Sequence, residues 1–263
     1  MRPLGALGAL AMTAAAGLMT LTGAASPAGA QTLRSRIEGA PDGLVRISYA
    51  GTPGICGNGE GNIHRRSGRD DGWERDCDDG PVRVALDVSG GQVRSVRTYV
   101  GGRWGTAPGR VTDLGLVSAP EAASYFTGLA ERPERVKGDP ILAAVVADSA
   151  TTWPALLRIG RNPAVPRETR KQAVFWLSQE ASDEATRGLA ELAEDARQDQ
   201  DVREQAVFAL SQLPHEQGVP SLIKVARTNG DPEIRRKAIF WLGQSEDPRA
   251  LALFEELLAG KGR

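Results

Sequence analysis

Two different periods of hydrophobicity divide this chain of 263 residues. Between about 31 and 117, apolar residues fall at every second position. Val45, Ile47 and Tyr49 alternate with Arg46 and Ser48, and Val82, Val84, Leu86 and Val88 alternate with Arg83, Ala85 and Asp87. That is the period of a strand with one buried face. Ser89-Gly90-Gly91 offers a turn that accepts positive φ, and the stretch from Gln92 to Val100 predicts a return strand. The expectation is a small β-rich unit, 31–117, of two or three strands. Such a unit buries little surface alone and needs a neighbour to dock on. A polar, glycine-rich loop from Gly51 to Gly80 interrupts it.

From Ser118 the period lengthens to that of helices. Ser118-Ala119-Pro120-Glu121 and Asp139-Pro140 are helix starts, and a further helix is predicted from Thr152 to Arg161. Beyond it the pattern predicts helices near 168–179, 184–195, 201–213, 218–228, 232–244 and 248–259. Asp231-Pro232-Glu233 places a capping aspartate, a first-turn proline and a glutamate against the positive end of the helix dipole. Asp199 occupies the matching place one unit earlier. Short connections make successive helices antiparallel.

One heptapeptide recurs in this region: Ala173-Val174-Phe175-Trp176-Leu177-Ser178-Gln179, then Ala206-Val207-Phe208-Ala209-Leu210-Ser211-Gln212, then Ala238-Ile239-Phe240-Trp241-Leu242-Gly243-Gln244. A fixed spacing of this size marks a stacked repeat array. At 100° per residue, Thr169, Val202 and Ile234 share one helix face with Ala173, Ala206 and Ala238, with Trp176 and Trp241, and with the leucines, so that face reads as core. Phe175, Phe208 and Phe240 point well away from it. Their surface neighbours are Gln172, Gln205 and Lys237 on one side and Gln179, Gln212 and Gln244 on the other. Two roles fit the phenylalanines: a ladder that binds an extended partner, or packing between adjacent helices of the stack.

The segments Thr169-Arg170-x-x-Ala173, Val202-Arg203-x-x-Ala206 and Ile234-Arg235-x-x-Ala238, each running on to Leu-Ser/Gly-Gln, carry a family resemblance. So does Gly243-Gln244-Ser245-Glu246-Asp247-Pro248-Arg249-Ala250-Leu251. Residues 150–260 resemble HEAT repeats, in the short form that includes the phycobilisome-lyase type, and the resemblance extends more weakly to 118–150. It implies an α–α superhelix over 118–263; with the β-rich unit read from alternation, which lies outside the resemblance, the expected fold is mainly α with a small N-terminal disulfide-linked β-hairpin unit. Inner helices would line a concave surface of the kind that binds a protein or peptide partner. It also implies that Arg170, Arg203 and Arg235 tie neighbouring repeats together through loop acids such as Asp199 or Asp231.

Composition narrows the remaining choices. Arg2, an apolar run from Leu4 to about Leu21, and Ala28-Gly29-Ala30 before Gln31 form the pattern of a secretory signal peptide over 1–30. An uncleaved anchor is the alternative. The expectation is export to the periplasm or exterior of a bacterium, with no membrane span once the leader is removed. Cys56 and Cys77 are the two cysteines, and in an exported protein such a pair reads as a disulfide. A formal net charge of −1 without a basic patch gives no sign of a nucleic-acid partner.

No catalytic, cofactor or metal motif stands out. His215-Glu216 is one pair in an inter-helix loop, too few groups for a two-iron site. The acids Asp70, Asp71, Asp76, Asp78 and Asp79 lack the spacing of a calcium loop, and Arg65, Arg66, Arg69 and Arg75 stand among them. The sequence therefore predicts a non-catalytic scaffold without cofactor or metal. An enzyme or enzyme accessory related to HEAT-like lyases, and an envelope ligand sensor binding through the β-rich unit, are the two rival readings.

Overall fold

The computed structural model describes residues 32–66, 77–134, 136–179 and 182–260. The leader expected over 1–30 lies outside the described residues, as do Arg69, Asp70, Asp71, Arg75 and Asp76.

Thr32 caps helix α1 (Leu33–Glu38), whose Leu33 and Ile37 are buried one turn apart. Strand β1 (Gly43–Tyr49), β4 (Val82–Ser89) and β5 (Gln92–Val100) form an antiparallel core, in which Arg46 pairs with Ala85 and Ala85 with Arg97. Strand β6 (Val111–Leu116) joins the β1 edge in parallel, and β7 (Lys137–Gly138) joins β5 in parallel. The order is β6-β1-β4-β5-β7, while β2 (Ile55–Gly57) and β3 (Ile63–Arg65) make a separate ribbon.

The expected hairpin unit in a mainly α chain needs correction. The N-terminal region carries a five-stranded sheet, and about half of the described residues are helical. The two edge strands escaped the sequence pattern for a physical reason. Strand β6 is largely exposed and β7 is only two residues long, so neither has a buried side to impose alternation.

One face of the sheet, with Val45, Ile47, Tyr49, Val84, Leu86 and Val96, is buried against α1, α2 (Ala119–Ala130) and α3 (Pro140–Val145). Phe126 lies in this core with its ring 6.2 Å from that of Tyr49. The Tyr49 hydroxyl donates to the carbonyl of Ala143, and burial pushes its pKa well up. Helices α2 and α3 therefore supply the neighbour that the strands require.

Seven helices follow among the described residues: α4 (Trp153–Arg161), α5 (Arg167–Leu177), α6 (Asp183–Glu194), α7 (Gln200–Ser211), α8 (His215–Thr228), α9 (Pro232–Gly243) and α10 (Pro248–Leu258). They stack in two layers, with α5, α7 and α9 packed in succession and α4, α6, α8 and α10 forming the other. Their shared core is built from residues such as Leu156, Ala173, Leu189, Ala206, Leu222 and Ala238. His215 is the first residue of α8 and not part of a loop.

Cys56 and Cys77 are joined, with Cα atoms 5.3 Å apart, and both are buried. The bond ties β2 to the chain just before β4, where Gly57 and Asp78 exchange two backbone hydrogen bonds.

Candidate functional site

The repeated heptapeptide lies on α5, α7 and α9, the helices of one layer. Ala173, Ala206 and Ala238 are fully buried, as are Leu177 and Leu210, because small and aliphatic side chains at these places let the two layers approach. Trp176 and Trp241 are only partly buried, packed on the rim of that core. They sit closer to the phenylalanines than a simple wheel projection places them. The Phe175 and Trp176 rings are 5.5 Å apart, and those of Phe240 and Trp241 are 5.0 Å apart.

The three phenylalanines are not equivalent. Phe208 is half-buried, its ring 5.1 Å from Trp241 of the next helix in the layer. At the place matching Trp241, α7 carries Ala209, which offers no ring to Phe175. Phe175 is accordingly 39% exposed, and Phe240 is 55% exposed. The residue at this place in the next helix, Ala209 or Trp241, thus decides whether Phe175 and Phe208 are covered, and α9 is the last described helix of its layer. Packing between repeats takes up the middle phenylalanine and leaves the outer two facing solvent.

The polar neighbours divide in a similar way. Gln172, Gln179, Gln212 and Gln244 are exposed, while Gln205 and Lys237 are half-buried. Lys237 is held 3.0 Å from Glu204, so its charge is already paired. The Gln179 and Gln212 amides each donate to the preceding serine hydroxyl, and Ser178 and Ser211 donate in turn to the carbonyls of Phe175 and Phe208. Gln212 and Gln244 also line a 140 Å³ cavity beside Trp241 and His215. The buried indole N–H of Trp241 has no hydrogen-bond partner among the described residues. Gln172 lines a separate 180 Å³ cavity that also touches α2 and α3.

A series of three arginines, two of them buried, runs along the same helices. Arg170, 4% exposed, pairs with Asp199 and donates to Gln198. Arg203, 5% exposed, lies 2.8 Å from Asp231 and donates also to Asn229 and to the carbonyl of Ala193. Arg235 donates to the backbone oxygen of Asn229. The first two link one repeat to the loop of the next, as the resemblance implies. Asp199 spends its carboxylate on Arg170 and makes no side-chain cap, whereas Asp231 both caps α9 and holds Arg203. Burying a guanidinium costs several kcal/mol in general unless its donors are met, and three acceptors meet those of Arg203.

At the far end of the array, Arg249 grips Asp247 through both carboxylate oxygens and reaches Glu216 and the His215 carbonyl at the start of α8. This contact holds the Asp247 carboxyl down at about 2. Among the described residues no group of three or more His, Cys, Asp or Glu side chains is placed to hold a metal ion. Asp79 pairs with Arg66 at 2.7 Å. No helix among the described residues is long and apolar enough to cross a membrane.

Residues 186–262, from within α6 to beyond α10, match the family model of HEAT repeats. This segment is therefore similar to a HEAT-repeat array, a kind of structure that in general serves as a protein-interaction scaffold. Comparison with curated proteins finds no match to the chain.

Proposed function

We propose that this HEAT-repeat protein is an exported, non-catalytic scaffold that binds a protein or peptide partner along its α5/α7/α9 face. The observation that carries the reading is the pair of exposed rings, Phe175 and Phe240, set on two helices of one layer among exposed glutamines. Large apolar side chains left in water on a regular framework are the usual anchors of an interface. Glutamines around them donate and accept hydrogen bonds without the desolvation cost of charges. The same face is the concave one in the arrangement that the repeat resemblance implies. Export rests on the leader pattern in the sequence and agrees with a disulfide, which persists in oxidising compartments.

The test is site-specific photo-crosslinking in the native host. A crosslinking residue at Phe175 or Phe240 is expected to capture the same partner, and one at Arg187 on the opposite layer is expected not to. The double variant Phe175→Ala/Phe240→Ala should remain folded and lose that partner, by more than about tenfold in affinity if both rings are anchors. Capture from Arg187 alone, or undiminished binding by the double variant, would overturn the reading.

A further inference from the structure

The sheet face turned away from α2 and α3 carries a second feature. Strand alternation directs Arg46, Arg83 and Arg97 to this face, which the return loop from β5 crosses. That loop begins with Gly101 and Gly102, both at positive φ (67° and 62°). A Cβ on Gly101 would stand 2.6 Å from the Gly57 carbonyl oxygen and from Asp78, so only glycine allows the chain to turn against the disulfide-linked strands. The turn brings Trp104 over the sheet. The guanidinium carbons of Arg46 and Arg83 lie 4.7 and 5.0 Å from the centre of its indole. Arg46 donates to the Gly105 carbonyl and Arg83 to the Gly101 carbonyl, which fixes the loop in place.

These contacts leave a 320 Å³ pocket whose lining includes four arginines, Arg46, Arg83, Arg97 and Arg103, and one carboxylate, Glu60. Ala85, between Arg46 and Arg97 in the strand register, contributes only a methyl group to its floor. None of the four arginines forms an ion pair among the described residues, although Asp113 stands beside Arg46 in the β1/β6 register and accepts the Gly115 N–H instead. Arg83 is 5% exposed, yet among the described residues its buried Nε has no hydrogen-bond partner, and neither has that of Arg46. Burial, with the charge of Arg46 acting in the same direction and Tyr99 against it, disfavours the cation at Arg83. Buried guanidinium donors without acceptors are costly, and the loop contacts of Arg46 and Arg83 leave the Nε of each unmet.

We propose that this pocket binds a small oxyanion with an apolar body, a carboxylate or a phosphate monoester. The oxyanion accepts from Arg46, Arg83 and Arg97 above Ala85, and the apolar part lies against Trp104 and Leu44. A planar guanidinium offers paired donors that match carboxylate and phosphate oxygens alike. The cation–π contacts hold the two arginines ready, so little side-chain freedom is lost on binding. The site is separate from the repeat face and stands whether or not that face binds a partner.

Calorimetric titration of the full chain with phenyl phosphate, benzoate and inorganic phosphate tests this. One-to-one saturable binding of phenyl phosphate, benzoate or both is expected, tighter than that of inorganic phosphate. The phenyl phosphate and benzoate arms show which oxyanion the site prefers. The exposed substitution Arg97→Gln and the half-buried Arg46→Gln should each weaken binding about tenfold or more. Arg187→Gln, on the helical array, should leave it unchanged. Arg97 lies at the surface, so its variant folds even if changes at Arg83 do not. Absence of saturable binding by all three anions at millimolar concentration, or wild-type affinity in both Arg97→Gln and Arg46→Gln, would sink the proposal.

Discussion

At the scale of single residues, arginines reach across repeats, and a local aspartate–arginine pair at the far end of the array carries a pH dependence. That aspartate is Asp247: Arg249, two residues further on, engages both of its oxygens and keeps its folded pKa at about 2. An unfolded aspartate ionises at about 4, so the depressed folded value stabilises the native state once pH exceeds that figure. The contribution is lost as pH falls through about 2. Asp247→Asn is therefore expected to lower the melting temperature at neutral pH, with the gap from wild type closing between pH 4 and 2. Thermal unfolding followed by circular dichroism across that range checks it. A gap that stays constant with pH would mean that the carboxylate charge is not what the array uses. Arg170, Arg203 and Arg235 were recognisable in the sequence because they recur in phase. The choice of Asn229 as a shared partner of Arg203 and Arg235 was not, since it depends on where a loop carbonyl and an amide end up in space.

At the scale of elements, close approach of α7 and α8 depends on a residue without a side chain. A Cβ on Gly218 would lie 2.3 Å from the carbonyl oxygen of Leu210, a backbone atom that cannot step aside. Alanine normally stabilises a helix interior by about 1 kcal/mol over glycine. Here the clash wins, and Gly218→Ala should destabilise the protein by about 2 kcal/mol, measured by urea unfolding. Equal or greater stability would show that the two helices have room to separate. The same logic explains the phenylalanines. The sequence placed all three on one stripe, but whether each is covered depends on the size of its neighbour in the next helix, Trp241 or Ala209. A projection around one helix contains no information about the adjacent one.

At the scale of the whole molecule, the disulfide ties the β2–β3 ribbon to the chain entering β4 and so supports the return loop. It fixes Gly57 and Asp78, which abut Gly101, whose carbonyl accepts from Arg83. Removing it as Cys56→Ser/Cys77→Ser should cost about 3 kcal/mol from the loop-closure entropy of the unfolded chain. Amide exchange is expected to quicken most in β4, β5 and the 101–110 loop. A change spread evenly over α6–α10 instead would mean that the bond supports the molecule globally.

The sequence by itself determined the repeat period, the helices of the array and the central strands, because each follows from periodic burial of one face. It also singled out the cysteine pair and the residues of the repeated stripe. Only the tertiary structure decided that the N-terminal region is a five-stranded sheet, since edge strands bury too little to show a pattern. It likewise decided that Arg46, Arg83 and Arg97 share a pocket with Trp104. Alternation put those arginines on the outer face, but their meeting depends on strand register and on two left-handed glycines that return a distant loop over the sheet. Local periodicity reports which side of an element faces the core. It carries no record of which elements meet, because that is settled by pairing and packing between segments far apart in the chain.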